Sequence, residues 1–475
     1  MTRISHAQAV AGVLALAAAA RLTLLGQESY WFDEIWAVKQ VRAALPDLLA
    51  DLARNDVHPP LYPMLLWSWT RLFGEAEWVT RAMSALFGTA AVAGLYLLGR
   101  DLYDRSTALL AALLLALNPF AIDYSQESRA YSMLLMFGVF ASWALVHWCE
   151  APRSWRRGAG YLVAAICLAY SHVFGIFLLI AHGATVLFFV PTLRLRMLVV
   201  GAGVAIAWAP WLPVVMGQVE RVGRGFWIPP LTFSSPVEWL SVWAGYNPAL
   251  ALIGLALVVD GSTQRADAFI DGTPFRAHRR AFLWLWIGLT MSIPVAVSLL
   301  MEPIFRPKYA ITLLAPFALL AARSLTAMPI VWRRGVGALV VGAMLFSLVG
   351  TIYGHRTKSQ YRELSALADA ARRRGTLLAA EQIAEYHLDY YLEEPDSVLW
   401  IENDADVDRL VQLATQRGTD VLYLLVHPPH SKREPRLEAA LLRIGETRLV
   451  KARAVRYRPR EVRRGRPDEA KARNR

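Results

Sequence analysis

An ionised side chain away from water is costly unless it is paired or put to use, so charges in apolar company are where chemistry is first sought. In the stretch ESYWFDEIWAV two adjacent carboxylates, Asp33 and Glu34, stand between aromatic and aliphatic side chains. A carboxylate within hydrogen-bond reach of a hydroxyl can take its proton, which makes this pair a candidate general base with an acidic neighbour. Far downstream, Arg129, Arg306 and Lys308 sit at the edges of apolar runs, and His58 precedes two prolines in NDVHPPLYPMLL. Cations so placed offset negative charge as it develops on a leaving group, most strongly where water is excluded. Plainer readings compete. An acid in the first turn of a helix favours the helix dipole, a cation at a membrane edge snorkels to the headgroups, and a single histidine offers no geometry to test.

The elements that position these groups are apolar. The chain has 475 residues, 56% of them hydrophobic, with a mean hydropathy of +0.34 and yet a formal net charge of +12. Runs such as ALLAALLLALNPFAI and RGVGALVVGAMLFSLVG suit bilayer spans of about 20 residues. The short alternating segments of a membrane β-barrel are absent from the sequence. Nothing in the sequence points to nucleic acid, and it carries no phosphate-loop or dinucleotide fingerprint. Cys149 and Cys167 match neither a disulfide framework nor zinc-ligand spacing, and read as packed thiols. The opening MTRISHAQAVAGVLALAAAARLTLL has the look of a secretory signal, but further spans follow and an uncleaved first helix is expected.

The apolar runs predict about eleven spans: 8–25, 79–99, 107–123, 130–148, 159–171, 173–190, 197–214, 237–259, 281–300, 308–327 and 335–353. The segment 61–73 is read as partly buried, not as a span. Alternate loops then collect Arg100, Arg105, Arg153, Arg156, Arg157, Arg194, Arg196, Arg276, Arg279, Arg280, Arg333 and Arg334 on one side. That side is cytoplasmic by the excess of Lys and Arg in short loops. The opposite side receives the loop 26–78, the turns at 123–129 and at Ser171–His172, the loop 215–236, the MEPIFRPKY turn and everything after about residue 354. Arg129, Arg306 and Lys308 defy the charge bias of that side, and an anionic ligand would supply their partner.

In the first outer loop, Phe32, Ile35, Val38, Val41 and Leu45 share one helical face, with Lys39, Gln40 and Arg42 elsewhere. This predicts an amphipathic helix along the interface. Pro46 and Asp47 start a second, with Leu48, Leu49 and Leu52 as its apolar side. The segment 354–450 alternates helical and strand-like patterns at ordinary polarity and predicts a small α/β domain. Beyond it, residues 451–475 are charge-dense and poor in apolar residues, the composition of a disordered tail.

Taken together and in order, WFDEIWA, NDVHPPLYPMLLWSWTRLFGEAEWVTRAMSALFG, YSQESRAYSMLL, AYSHVFGIFLL, APWLPVV, FWIPPLTF and EPIFRPKYAITLLAPFALLAA resemble a GT-C-fold glycosyltransferase. The resemblance is to the family 39 group related to protein O-mannosyltransferases and to the lipid A aminoarabinose transferases, and it covers most of residues 1–330. It implies an all-α polytopic membrane domain and a polyprenyl-phosphate-linked sugar as donor. Transfer to a glycan, lipid or protein hydroxyl is then expected on the outer face of a bacterial-type plasma membrane, with inversion. The first-loop acid essential in those families maps onto Asp33, Glu34 matches its neighbour, and the RPKY turn assigns Arg306 and Lys308 to the lipid phosphate. Arg129 is read as gripping that phosphate with them, and His58 as a helper. Glu127, Tyr309 and His172 are read as positioning the substrate or a cation. Where the aminoarabinose transferases have Glu-Lys before the two prolines this chain has Val57-His58, and Glu127 stands near the place of a later acid. Their zinc is therefore not carried over, and a divalent cation stays open as a cofactor. A transporter or flippase of polyprenyl-linked glycans, and a glycan polymerase or ligase, are the rival readings. The charges gather at span ends on one side, whereas transporters place them at mid-membrane between internal repeats.

Overall fold

Leucine- and alanine-rich runs lose little side-chain entropy in a helix, and they fold as helices throughout the larger part of the chain. A computed structural model describes residues 5–222, 228–263, 274–354, 358, 360–425 and 449–453. The chain divides into two units, Met1–Leu25 with Ala37–His355 and Gly26–Trp36 with Arg356–Arg475.

In the first unit, six helices among the described residues are long and apolar enough to cross a membrane: Glu77–Leu102, Tyr131–Glu150, Pro191–Glu220, Arg279–Leu300, Pro307–Ala327 and Ile330–Tyr353. Shorter apolar helices, His6–Leu22, Arg105–Leu117 and Phe174–Phe189, accompany them. Glu77–Leu102 packs along both Tyr131–Glu150 and Arg105–Leu117 and forms the centre of the bundle.

Where the sequence predicts one span over 237–259, the structure has two helices, Ser235–Trp243 and Pro248–Thr263, bent by 87°. Gly245 (φ +79°) and Tyr246 (φ +62°) take left-handed backbone at the break. A side chain at Gly245 would run into the ring of Pro119, whose Cδ lies 2.5 Å from the Cβ position, so the turn needs glycine for two reasons. The run 107–123 is likewise split: Arg105–Leu117 ends at Asn118, whose side chain accepts from Ala121 N and caps Pro119–Asp123.

The first-loop helices form as Phe32–Gln40 and Leu45–Asn55. Leu48 and Leu52 are fully buried and join Val41, Tyr62, Leu66, Met83 and Trp211 in one apolar cluster. Residues 61–73 form a helix of 13 residues, Leu61–Phe73, about 20 Å long at 1.5 Å per residue and so short of a bilayer core.

A buried arginine ties two of these helices to the turn that follows Pro119–Asp123. Arg21, with no exposed surface, donates to the carbonyls of Ala17 and Ala116 at 3.1 Å, to that of Leu115 at 3.3 Å, and to Ser125 Oγ at 3.2 Å. Leu115 and Ala116 lie in the last turn of Arg105–Leu117, where carbonyls have no partner within the helix. The charge is held by helix-end dipoles.

In the second unit four parallel strands, β1 (Leu377–Glu381), β2 (Val398–Ile401), β3 (Val421–Leu425) and β4 (Leu449–Arg453), form one sheet in the order β2-β1-β3-β4. Leu410 and Ala414 of the helix Asp404–Arg417 pack on Ala379, Val421 and Tyr423. The same unit takes in the segment 26–36: Tyr30 N donates to Tyr391 Oη at 2.8 Å, Arg362 donates to the Gln27 carbonyl at 2.8 Å, and the Phe32 and His387 rings lie 4.8 Å apart. The tail expected to be disordered lies, from residue 454 on, outside the described residues.

Replacing Arg21 by Met is expected to lower stability by about 3 kcal/mol, since four buried acceptors lose a charged donor. Thermal unfolding of the detergent-solubilised protein measures this, and an unchanged midpoint would show that water reaches those carbonyls.

Candidate active site

The prolines of NDVHPPLY hold the chain extended before the helix Leu61–Phe73, and the turn they leave is organised by a residue the sequence reading did not single out. Asp56 caps the end of Leu45–Asn55. Its Oδ1 accepts from the backbone N–H of Val57 at 2.6 Å and of His58 at 3.0 Å, and from His58 Nδ1 at 2.6 Å. Gln218 Nε2 donates to the Asp56 carbonyl at 2.9 Å and fixes the turn from the other side. A carboxylate on Nδ1 sets the proton there and turns Nε2 outward. Arg129 Nη2 lies 3.3 Å from that Nε2 and 3.5 Å from Nδ1.

Around this dyad the structure assembles most of the predicted cluster of the first unit. The His58 and His172 rings are 5.5 Å apart, and His172 is 5.0 Å from the ring of Tyr309 and 6.0 Å from that of Tyr131. Lys308 Nζ stands 5.1 Å from the Tyr131 ring centre and 5.7 Å from that of Tyr309, within cation–π range. His172 Nδ1 accepts from Phe174 N at 3.1 Å, which leaves its proton on Nε2. Lys308, Tyr309, His172 and Glu127 are all buried.

Arg306 precedes the short helix Pro307–Leu313 in extended conformation and acts on Tyr124, as Glu127 does. Burial first, then Glu127 and Asp123, push the Tyr124 hydroxyl well above its usual range, and Arg306 opposes them. Glu127 and Arg306 therefore both act on Tyr124, while Arg129, His58, His172, Lys308 and Tyr309 form the cationic, ring-walled group. Asp56 and Tyr131 complete that group. The Asp-x-His spacing carried a signal for Asp56; nothing local marked Tyr131 beyond its place in YSQESRAY.

Asp33 and Glu34 lie in the second unit, in the first turn of Phe32–Gln40. Asp33 is half-buried and Glu34 fully buried. Glu34 Oε2 lies 3.4 Å from Lys358 Nζ and also accepts from Trp31 N at 3.4 Å. Lys358 is a second residue that the sequence reading missed.

Among the described residues no group of three or more His, Cys, Asp or Glu side chains is placed to hold a metal ion. In the cationic group the donors are two histidines beside Arg129 and Lys308, with the Asp56 carboxylate already holding His58. Such a set attracts an anion, not a cation.

Residues 57–216 match the family model described as dolichyl-phosphate-mannose-protein mannosyltransferase. Over 87% of this chain and 89% of the other, the structure superposes on ArnT from Cupriavidus metallidurans crystallised with undecaprenyl phosphate, at a TM-score of 0.57 and 13% identity. The fold is GT-C. The apo form of the same ArnT gives a TM-score of 0.59 over 86% and 88% of the two chains, again at 13% identity. No curated protein sequence matches this chain. The chain thus resembles GT-C glycosyltransferases of the protein mannosyltransferase and ArnT type, as its motifs imply, and the matched segment 57–216 contains HPPLY and YSQESRAY.

Burial would raise the Asp56 carboxyl, but the adjoining His58, its hydrogen bond and Arg129 outweigh it and hold the group well below the usual carboxylate range. His172, in the turn between two helices, is pushed well below its ordinary 6.5 by burial, then by His58, Arg129 and Lys308. Both shifts run downward, so each group adds stability above its ordinary value and loses it as pH falls. For His172 the loss begins near its ordinary 6.5, and for Asp56 only below 3.8. The unfolding midpoint is expected to fall between about pH 7 and pH 5, and His172→Gln to flatten that slope. A variant with the full wild-type slope would place the dependence elsewhere.

Proposed function

We propose that this protein is a multi-pass membrane glycosyltransferase that moves a sugar from a polyprenyl-phosphate donor to an acceptor hydroxyl on the extracytoplasmic face. The observation that carries this reading is the group formed by Arg129, Lys308, His58 and His172 with Tyr131 and Tyr309. It is an anion-attracting, partly desolvated site on the fold of an enzyme crystallised with undecaprenyl phosphate. The eleven-span topology belongs to the same reading, with the bent pair Ser235–Thr263 counted as one crossing and His6–Leu22, Arg105–Leu117, Trp155–Ser171 and Phe174–Phe189 as four others beside the six long helices.

Asp33 acts as general base. It takes the proton of the acceptor hydroxyl as that oxygen bonds to the anomeric carbon, and the bond from that carbon to the phosphate oxygen breaks on the opposite face. Single displacement inverts the anomeric centre, and the polyprenyl phosphate leaves with the electron pair. Arg129, Arg306 and Lys308 offset its charge, at an advantage because little solvent competes. His172, whose Nδ1 accepts from a backbone amide, offers its Nε2 proton to the phosphate or sugar, His58, held by Asp56 at Nδ1, steadies Arg129 through its Nε2, and Tyr309 walls the group. Glu127 orients the Tyr124–Arg306 side.

The direct test incubates the purified protein with undecaprenyl-phosphate mannose, glucose and 4-amino-arabinose and follows release of the lipid phosphate. Turnover of one of them is expected, and none with any would remove the reading. Asp33→Asn is expected to abolish transfer while the protein stays folded; most activity retained would take Asp33 out of the mechanism. Lys308→Met is expected to raise the donor KM by about tenfold or more, the worth of a charge-assisted contact, and an unchanged KM would assign Lys308 to its tyrosine rings alone.

A further inference from the structure

A carboxylate with no exposed surface is expensive, and Glu34 is one. Lys358, 324 positions along the chain and only 7% exposed in its side chain, supplies the opposite charge at 3.4 Å. Lys358 is itself held, since its backbone N–H donates to Glu28 Oε1 at 3.3 Å. Two residues beyond Gln360, Arg362 donates to the carbonyls of Gly26 at 3.4 Å and Gln27 at 2.8 Å. Tyr391 Oη accepts from Tyr30 N at 2.8 Å. Residues 358–391 therefore grip the backbone leading into the helix Phe32–Gln40 at several points, all within the second unit.

What the grip controls is the first helical turn. Trp31 O accepts from Glu34 N and Ile35 N, each at 3.0 Å, and Glu34 Oε2 reaches back to Trp31 N at 3.4 Å. This is the carboxylate half of a capping box, which satisfies a backbone donor that a helix start leaves orphaned. Consecutive residues on a helix point about 100° apart. With Glu34 drawn inward by Lys358, Asp33 one position earlier is left half-buried and accessible. Two adjacent acids thereby take different tasks: one anchors the turn and the other faces outward from it.

We propose that Lys358 is a positioning residue for the Asp33 carboxylate, acting through the buried ion pair with Glu34 and the helix turn that Glu34 closes. The proposal rests on the reading of Asp33 as general base. It assigns to the C-terminal part of the chain an indirect part in catalysis: it orients the base without touching substrate. Breaking a buried pair leaves a lone charge inside the protein, whereas neutralising both members does not. Gln at position 34 keeps an oxygen to accept from Trp31 N.

The experiment compares Lys358→Met, Glu34→Gln and the double variant K358M/E34Q as full-length protein in detergent. The donor is whichever of undecaprenyl-phosphate mannose, glucose or 4-amino-arabinose the wild type turns over fastest. Each single variant is expected to lose about tenfold or more in kcat with the donor KM within about twofold, the pattern of a displaced catalytic group. The double variant is expected to exceed both singles in kcat. That reciprocal rescue separates the ion pair from ordinary packing, and comparing the double with Glu34→Gln alone carries the test if Lys358→Met does not fold. A double no better than its singles, a single variant with wild-type kcat, or a loss confined to KM would overturn the proposal. Asp33→Asn on the same preparations separates the two levels. Ordinary turnover in that variant removes the base and the positioning role together, whereas a dead Asp33→Asn beside an unaffected Lys358→Met removes the positioning role alone.

Discussion

A charge taken out of water must be paid for by a partner, and three such settlements organise this protein. Arg21 is held by carbonyls at the end of a neighbouring helix. Asp56 is held by His58 and by two backbone amides of its own turn. Glu34 is held by Lys358. The first locks the bundle, the second shapes the cationic site, and the third anchors the turn that bears Asp33. In an apolar chain the charged residues are few, and each is under pressure to adopt one geometry, because the unpaired alternatives cost several kcal/mol.

The site in the first unit shows what that pressure does to chemistry. His58 and His172 stand among Arg129 and Lys308, and each has its Nδ1 engaged, one by a carboxylate and one by a backbone amide. Neither ring can flip, or move its proton to the other nitrogen, without losing that hydrogen bond. Excess positive charge beside low-dielectric walls favours an anion over a metal ion. That is the physical difference between this group and a cation site, and it fits the replacement of Glu-Lys by Val57-His58 before the prolines.

The likeness to ArnT at 13% identity over most of both chains shows how little of a helical membrane fold depends on particular side chains. Bundle helices are held by close approach and by apolar surface, which many residues supply. What resists change is local and steric. Gly245 faces Pro119 in left-handed backbone, and Gly88 faces Ser125 Oγ and Arg21 Nε at distances that no side chain would tolerate.

Much was legible in the sequence. Apolar runs announced the helices, the 3.6-residue spacing marked the apolar faces of the first-loop helices, and the structure buries Ile35, Val38, Val41, Leu48 and Leu52 of them while Phe32 is exposed. His58, Arg129, His172, Lys308 and Tyr309 were legible as residue types in order along the chain. Two things were not: the 87° break within 237–259 and the partnership of Glu34 with Lys358; the capture of His58 by Asp56, two residues away, had its signal in their spacing. Helical periodicity and turn chemistry are local, so a window of a dozen residues contains them. Which charges pair across hundreds of positions, and which way a ring nitrogen points, depends on where the packed helices and the sheet bring distant side chains, and only the folded chain decides that.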